Sequence, residues 1–334
     1  MQNIINGLPI AAVILLLAVG FAFLVKGADF FVEGSSSIAK KLKVPPIIIG
    51  LTIVAMGTSL PETAVSVTAS LVQNNELAVS NVVGSNIFNL MFVIGVCSIL
   101  TPIMVQKATV VRDIPLSLGC ALFLLVLGVS GLGDKAGMTL GHADGVIFLI
   151  VFAGYIFTMV RSAMKARAAG QKVEIEGVEE CDNMKELSYG KSILFLIVGA
   201  AAIAFGGDLT VDTASRIAIE LGMSQTLVGL TIVSIGTSLP ELVTSVVAAR
   251  KNEVDMALGN VIGSNIFNIL LVLGVAGAIS PVAFVTENLI DIAILVVMSV
   301  VVWIFAWSKK KLVNWHGAVM LVSYVAYLVY ICIR

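Results

Sequence analysis

Residues 50–62, GLTIVAMGTSLPE, return 179 residues later as GLTIVSIGTSLPE at 229–241, with eleven of thirteen positions identical. At the same offset NVVGSNIFN (81–89) returns as NVIGSNIFN (260–268), identical at eight of nine. Gly27 pairs with Gly206, Asp29 with Asp208, Glu33 with Asp212 and Pro102 with Pro281, with no gap between them. A duplication this regular restricts the chain to an architecture of two equivalent halves.

Around the repeats lie ten stretches carrying no charge or one: 8–25, 44–72, 77–106, 114–133, 145–160, 192–207, 221–249, 256–286, 292–308 and 312–333. A membrane-spanning helix needs about 20 apolar residues. Apolar residues make up 58% of the 334 and charged ones only 12%, about half the charged share of a soluble chain. A soluble enzyme, a nucleic-acid binder and a disordered chain are therefore disfavoured. In lipid, helices satisfy their own backbone, and the alternating ten-residue segments of a membrane barrel are absent. The expected fold is an all-α integral membrane protein of ten transmembrane helices. Five spans per half is an odd number, so the second half must enter the membrane from the opposite side. Inverted repeats of this kind are a common plan of secondary transporters.

Lys and Arg fix the orientation. With the N-terminus outside, 17 of the 20 basic residues fall in cytoplasmic connections, and Lys135, Arg216 and Arg334 fall outside. Positive charge is retained on the cytoplasmic side. Both termini are thus expected outside an inner (plasma) membrane, and Lys309–Lys311 reads as a topology anchor. The division expected is 1–160 for the first five helices, 161–191 for a cytoplasmic linker with six basic and six acidic residues, and 192–334 for the second five. Met1–Asn6 carries no basic residue, which favours a retained first span over a cleaved signal peptide. No CxxC pair exists and the two histidines, His142 and His316, are far apart, so a disulfide framework or a transition-metal site is not indicated.

The repeated GTSLPE carries the chemistry. Pro61 and Pro240 have no N–H to give the preceding turn, and they push Leu60 and Leu239 from helical geometry. Helices 2 and 7 should break near Thr58–Ser59 and Thr237–Ser238. Irregular backbone at membrane depth survives only where it lines a cavity or is buried in protein. Glu62 and Glu241 place one carboxylate on each broken helix, with no Lys or Arg in either span. An ionised carboxylate in a bilayer is costly, and a bound cation compensates it. A protonated, purely structural Glu is the competing reading. NVVGSNIFN sets Asn81, Ser85 and Asn89 on one helix face, and its copy does so with Asn260, Ser264 and Asn268. These residues either face the cation or bond between helices across the small Gly84 and Gly263. Carboxylates, amides, hydroxyls and carbonyls suit Ca2+ or Na+. Two carboxylates balance one Ca2+ or two Na+.

The paired G-T-S-L-P-E and G-S-N-I-F-N segments resemble the α-repeats of the cation/calcium exchanger superfamily, in its bacterial and archaeal calcium/sodium antiporter branch. The likeness covers both halves and nearly the whole chain. The G-N-x-x-E signature of the calcium/proton exchangers is absent. The resemblance implies alternating access around a central diamond of cation sites. Thr58, Ser59, Glu62, Ser85, Asn89 and the Ala55 carbonyl would come from the first half. Thr237, Ser238, Glu241, Ser264, Asn268 and the Ser234 carbonyl would come from the second. Both glutamates would hold Ca2+ directly, and the flanking hydroxyls and carbonyls would complete the Na+ sites. Many relatives carry Asp where this chain has Asn89 or Asn268, which leaves coupling to H+ or K+ open. Transported Ca2+ and Na+ and the bilayer are the expected partners, with no cofactor, catalytic residue or nucleic acid, and the chain is expected to act as a monomer. A Ca2+ antiporter driven by H+ or K+, a cation channel, and an intramembrane hydrolase using the two glutamates as a dyad are the competing classes.

Overall fold

The computed structural model describes residues 5, 7–72, 75–130, 139–168, 187–223, 232 and 234–333. Its long helices are α1 (Ile10–Leu42), α2 (Pro46–Thr58), α3 (Leu60–Leu71), α4 (Leu77–Leu100), α5 (Thr109–Val129), α6 (His142–Ala168) and α7 (Tyr189–Glu220). A short α8 (Ser234–Gly236) and α9 (Leu239–Arg250) follow. Then come α10 (Val254–Ile279), α11 (Thr286–Lys309) and α12 (Asn314–Ile333). Among the described residues eight helices are long and apolar enough to cross a membrane, or nine when the bent pair α2–α3 is taken as one span. The expected seventh span, 221–249, includes residues outside the described ones, as does most of the expected linker 161–191, of which 169–186 fall outside.

The first span is longer than its charge-free core. Most of the Lys26–Lys43 segment, expected as a connection, continues α1 through Leu42 to 33 residues. Its charges share the helix with an apolar and small-residue face: Gly27, Ala28, Phe31, Val32, Gly34, Ser35, Ile38 and Ala39 are buried. That 3.6-residue spacing stabilises a helix against a neighbour whatever the charge on its other face. At 1.5 Å per residue α1 is about 50 Å long, well beyond a hydrocarbon core of about 30 Å. The helix α7, with 32 residues, is its partner. A Cβ on Gly27 would stand 3.0 Å from the Gly199 carbonyl, and one on Gly206 2.8 Å from that of Gly20. Backbones can meet this closely only because side chains are missing there.

The helix α2 crosses α10 in the same way. A Cβ on Gly263 would come within 2.8 Å of the Leu51 carbonyl, and one on Gly259 within 2.6 Å of the Ile47 carbonyl. Helices α2, α4, α5 and α10 each contain one π-helical stretch: Gly50–Val54, Phe88–Val93, Thr109–Asp113 and Asn268–Val272. Such wide turns free backbone groups and are frequent at functional sites. Those of α4 and α10 begin around Asn89 and Asn268.

Among the described residues there are also four two-residue strands. Thr101 and Ser280 are extended (ψ 125° and 134°), the geometry that Pro102 and Pro281 favour in the residue before them. The chain therefore leaves α4 and α10 in extended form. Ile103–Met104 pairs antiparallel with Lys311–Leu312, and Val282–Ala283 with Thr139–Leu140. Between the helices runs one large apolar core, and a polar group is buried inside it.

Candidate cation site

Both GTSLPE copies break the helix at the expected Thr58–Ser59 and Thr237–Ser238 positions. The departure is at Ser59 (φ −82°, ψ 11°) and Ser238 (φ −94°, ψ 5°). Leu60 and Leu239, expected to leave helical geometry, instead open α3 and α9, with Pro61 and Pro240 in the second helical position. Proline is tolerated in a first turn because its missing N–H has no partner there anyway. The α2–α3 bend is 50°. Each break puts Glu62 or Glu241 into the first turn of a new helix, where the positive end of the helix dipole favours a carboxylate.

The two breaks meet. Ser59 Oγ donates to Glu241 Oε1 at 3.0 Å, and Ser238 Oγ donates to Glu62 Oε1 at 3.1 Å. Each serine therefore serves the glutamate of the other motif. Ser264 Oγ on α10 adds a second bond to Glu241 Oε1 at 3.3 Å. Thr58, Ser59, Glu62, Ser85, Asn89, Ser238, Glu241, Ser264 and Asn268 are all buried to 2% exposure or less. Thr237 is half-buried. Ala55 is fully buried, and its carbonyl accepts from the Ser59 N–H at 3.0 Å. Ser234 opens the short helix α8, beside the second break.

Asn81 and Asn260 use all their polar atoms between helices. Asn260 Nδ2 donates to Ser245 Oγ (2.9 Å) and to the Glu241 carbonyl (3.4 Å), while its Oδ1 accepts from Thr58 Oγ1 (3.0 Å). Asn81 repeats this with Ser66 Oγ (3.0 Å), the Glu62 carbonyl (3.4 Å) and Thr237 Oγ1 (3.3 Å). Of the two readings open for this pair, interhelical bonding is the one its contacts describe. The two residues hold the threonines of the opposite motif in place.

Among the buried oxygen atoms without a hydrogen-bond partner, five belong to the predicted site residues: Glu62 Oε2, Glu241 Oε2, Asn89 Oδ1, Asn268 Oδ1 and Ser85 Oγ. A buried acceptor left unpaired costs about 1–3 kcal/mol, and more if charged. Among the described residues neither glutamate forms an ion pair with a basic side chain. Four of the five atoms can only accept, and all are oxygen. This is the donor set of a hard cation.

Two residues outside the four-residue spacing also belong to the cluster. Asn86 and Asn265 lie one position after Ser85 and Ser264 and are buried, bonded to Asn268 and Asn89 respectively. Spacing on one helix face passes them over. The signal available was that both copies of the motif keep an Asn there.

The chain matches the family described as sodium/calcium exchanger protein over residues 12–161 and 191–333. It is 34% identical to the sodium/calcium exchanger MaX1 of Methanosarcina acetivorans, over 94% of this chain and 97% of that one. It is also 34% identical to the inner membrane protein YrbG of Escherichia coli K12, over 88% and 89% of the two chains. Structures of the sodium-calcium exchanger NCX_Mj superpose with a TM-score of 0.80 at 33% identity, covering 96% of this chain and 99% of that one. The fold, the buried oxygen cluster and these likenesses agree, and the chain belongs to the sodium/calcium exchanger protein family.

Proposed function

We propose that the chain is a secondary active antiporter exchanging Ca2+ for Na+ by alternating access, built as ten helices in two inverted halves. Membership of the family makes it a multi-pass membrane transporter of cations, not an enzyme. The observation that carries the finer reading is the group of five unpartnered oxygens between the two GTSLPE breaks. Glu62 and Glu241 supply two negative charges, matched by one Ca2+ or two Na+, so either load leaves the site neutral. Asn89, Asn268 and Ser85 supply neutral oxygens around them. Ser59, Ser238, Ser264, Thr58 and Thr237, with the Ala55 and Ser234 carbonyls, serve the flanking Na+ positions.

The match of the family to two segments, 12–161 and 191–333, supports a division into halves at 1–160 and 192–334. The excess of basic residues in one set of connections supports outside termini and a cytoplasmic 161–191 linker in a plasma membrane. In this reading the chain acts as a monomer, with Ca2+, Na+ and lipid as partners.

Ca2+ uptake into proteoliposomes under imposed gradients tests the coupling. Uptake should be driven by an outward Na+ gradient and not by K+ or pH gradients of the same size. Uptake driven as well by K+ or H+ alone would replace Na+ as the coupling ion. Single-channel currents would replace the carrier altogether.

A further inference from the structure

We infer that Asn86 and Asn265 are positioning residues that turn the amides of Asn89 and Asn268 so that each shows the cation an oxygen and never an N–H. The inference rests on the reading of the site given above. It follows from where each chain of hydrogen bonds must end.

Asn265 Nδ2 lies 3.2 Å from the Asn86 backbone carbonyl. A carbonyl can only accept, so the amide nitrogen of Asn265 must be on that side and its oxygen on the other. That oxygen is 3.1 Å from Asn89, so Asn89 must turn its NH2 toward it. Asn89 Oδ1 is then left pointing away, buried and without a partner. The mirror path is equally constrained. Asn86 Nδ2 lies 3.2 Å from the Asn265 carbonyl, and Asn86 Oδ1 accepts from Asn268 Nδ2 at 3.1 Å. Asn268 Oδ1 is likewise buried and unpartnered.

An Asn side chain is nearly symmetric in shape, and only its hydrogen bonds decide which end faces a ligand. Turned the other way, Asn89 or Asn268 would present two partly positive hydrogens to a cation. Two backbone carbonyls, one from α4 and one from α10, therefore set the polarity of two ligands. The arrangement is crossed: Asn265 on α10 orients Asn89 on α4, and Asn86 on α4 orients Asn268 on α10. It also bonds the two helices to each other at the level of the site. At these buried positions each bond is strong and each unmade bond costly, so the setting is stiff.

A double-mutant cycle reads this crossed wiring. Apparent Ca2+ affinity is taken from Na+-driven flux and, independently of transport, from the Ca2+-dependent rise in melting temperature of the purified protein. Asn89→Ala and Asn265→Ala should each weaken Ca2+ by about tenfold, the scale on which orienting partners of metal ligands act. In the double variant the loss should stay near that of Asn89→Ala alone, because Asn265 then has no ligand to orient. Asn265→Ala combined with Asn268→Ala should instead multiply the two losses, as independent sites do. Multiplied losses in the Asn265/Asn89 pair, or Asn265→Ala leaving Ca2+ affinity unchanged, would overturn the inference. If Asn265→Ala does not fold, the mirror cycle of Asn86→Ala with Asn268→Ala, or Asn265→Ser in the first cycle, gives the same decision. Failure of these cycles while Glu62→Gln still abolishes flux removes the positioning role only. Flux surviving in Glu62→Gln removes the site itself.

Discussion

Ser59 Oγ gives its hydrogen bond to Glu241 Oε1, 3.0 Å away and 182 positions along the chain. The carboxylate is thus held by the break of the other motif. A change at one motif must act on the charge carried by its partner. Ser59→Ala removes this donor and leaves the Ser264 bond to Glu241 Oε1 in place. A net hydrogen bond to a charged group contributes about 1.5–3 kcal/mol. The half-saturating Na+ concentration should rise about tenfold or more. Na+ titration of Ca2+ flux measures it, and an unchanged value with normal expression would show that Ser59 does not act through Glu241.

The breaks and the glutamates were legible in the sequence because proline and an unpaired carboxylate have fixed physical consequences in a membrane. The break falls where the motif places it, near Thr58–Ser59 and Thr237–Ser238, whereas the residues before the prolines stay helical. A proline in the second helical position restarts the helix at Leu60 and Leu239, and Ser59 and Ser238 absorb the turn. The length of α1 was not legible from charge alone. Its charged residues occupy one side of a helix whose other side packs on α7, and charge-free runs do not register that. Nor did spacing reveal Asn86 and Asn265, whose value comes from contact between α4 and α10.

Asn268→Asp makes a neutral ligand titratable. The new carboxyl joins Glu62 and Glu241, and its charge must change with pH, whereas an amide does not titrate. Exchange should become more steeply pH-dependent than in the parent. At low pH, where the added group is protonated and resembles the amide, the activities should converge. Flux across a pH series in both proteins measures this. Parallel profiles would place residue 268 outside the electrostatics of the site.

Glu253, in the turn before α10, is buried, and burial pushes its carboxyl above the usual carboxylate range against the opposing pull of Ser36 and Lys40 on α1. The folded state then holds a proton that the unfolded state releases. Stability should fall as pH rises from the ordinary carboxylate value, about 4.3, through the raised one. Glu253→Gln should raise the melting temperature by a few degrees above that window and leave it unchanged below. Melting curves at acid and neutral pH measure the difference. Equal curves for both proteins at neutral pH would contradict it.

The proposed orientation rests on the basic residues, 17 to 3 across the two sets of connections. Cys181 falls in the cytoplasmic set and outside the described residues. An impermeant thiol reagent should label it in inverted vesicles and not in intact cells. Labelling from outside intact cells would reverse the orientation.

In the proposed mechanism Glu62 and Glu241 together carry the charge that binds the exchanged cations. Na+-gradient-driven uptake of radiolabelled Ca2+ into proteoliposomes, compared among the parent, Glu62→Gln and Glu241→Gln, tests it most directly. Gln keeps the shape and removes one of two charges facing a divalent ion. Uptake is expected in the parent, and background flux in either variant at equal protein incorporation. Ca2+ uptake at the parental rate in either variant would contradict it.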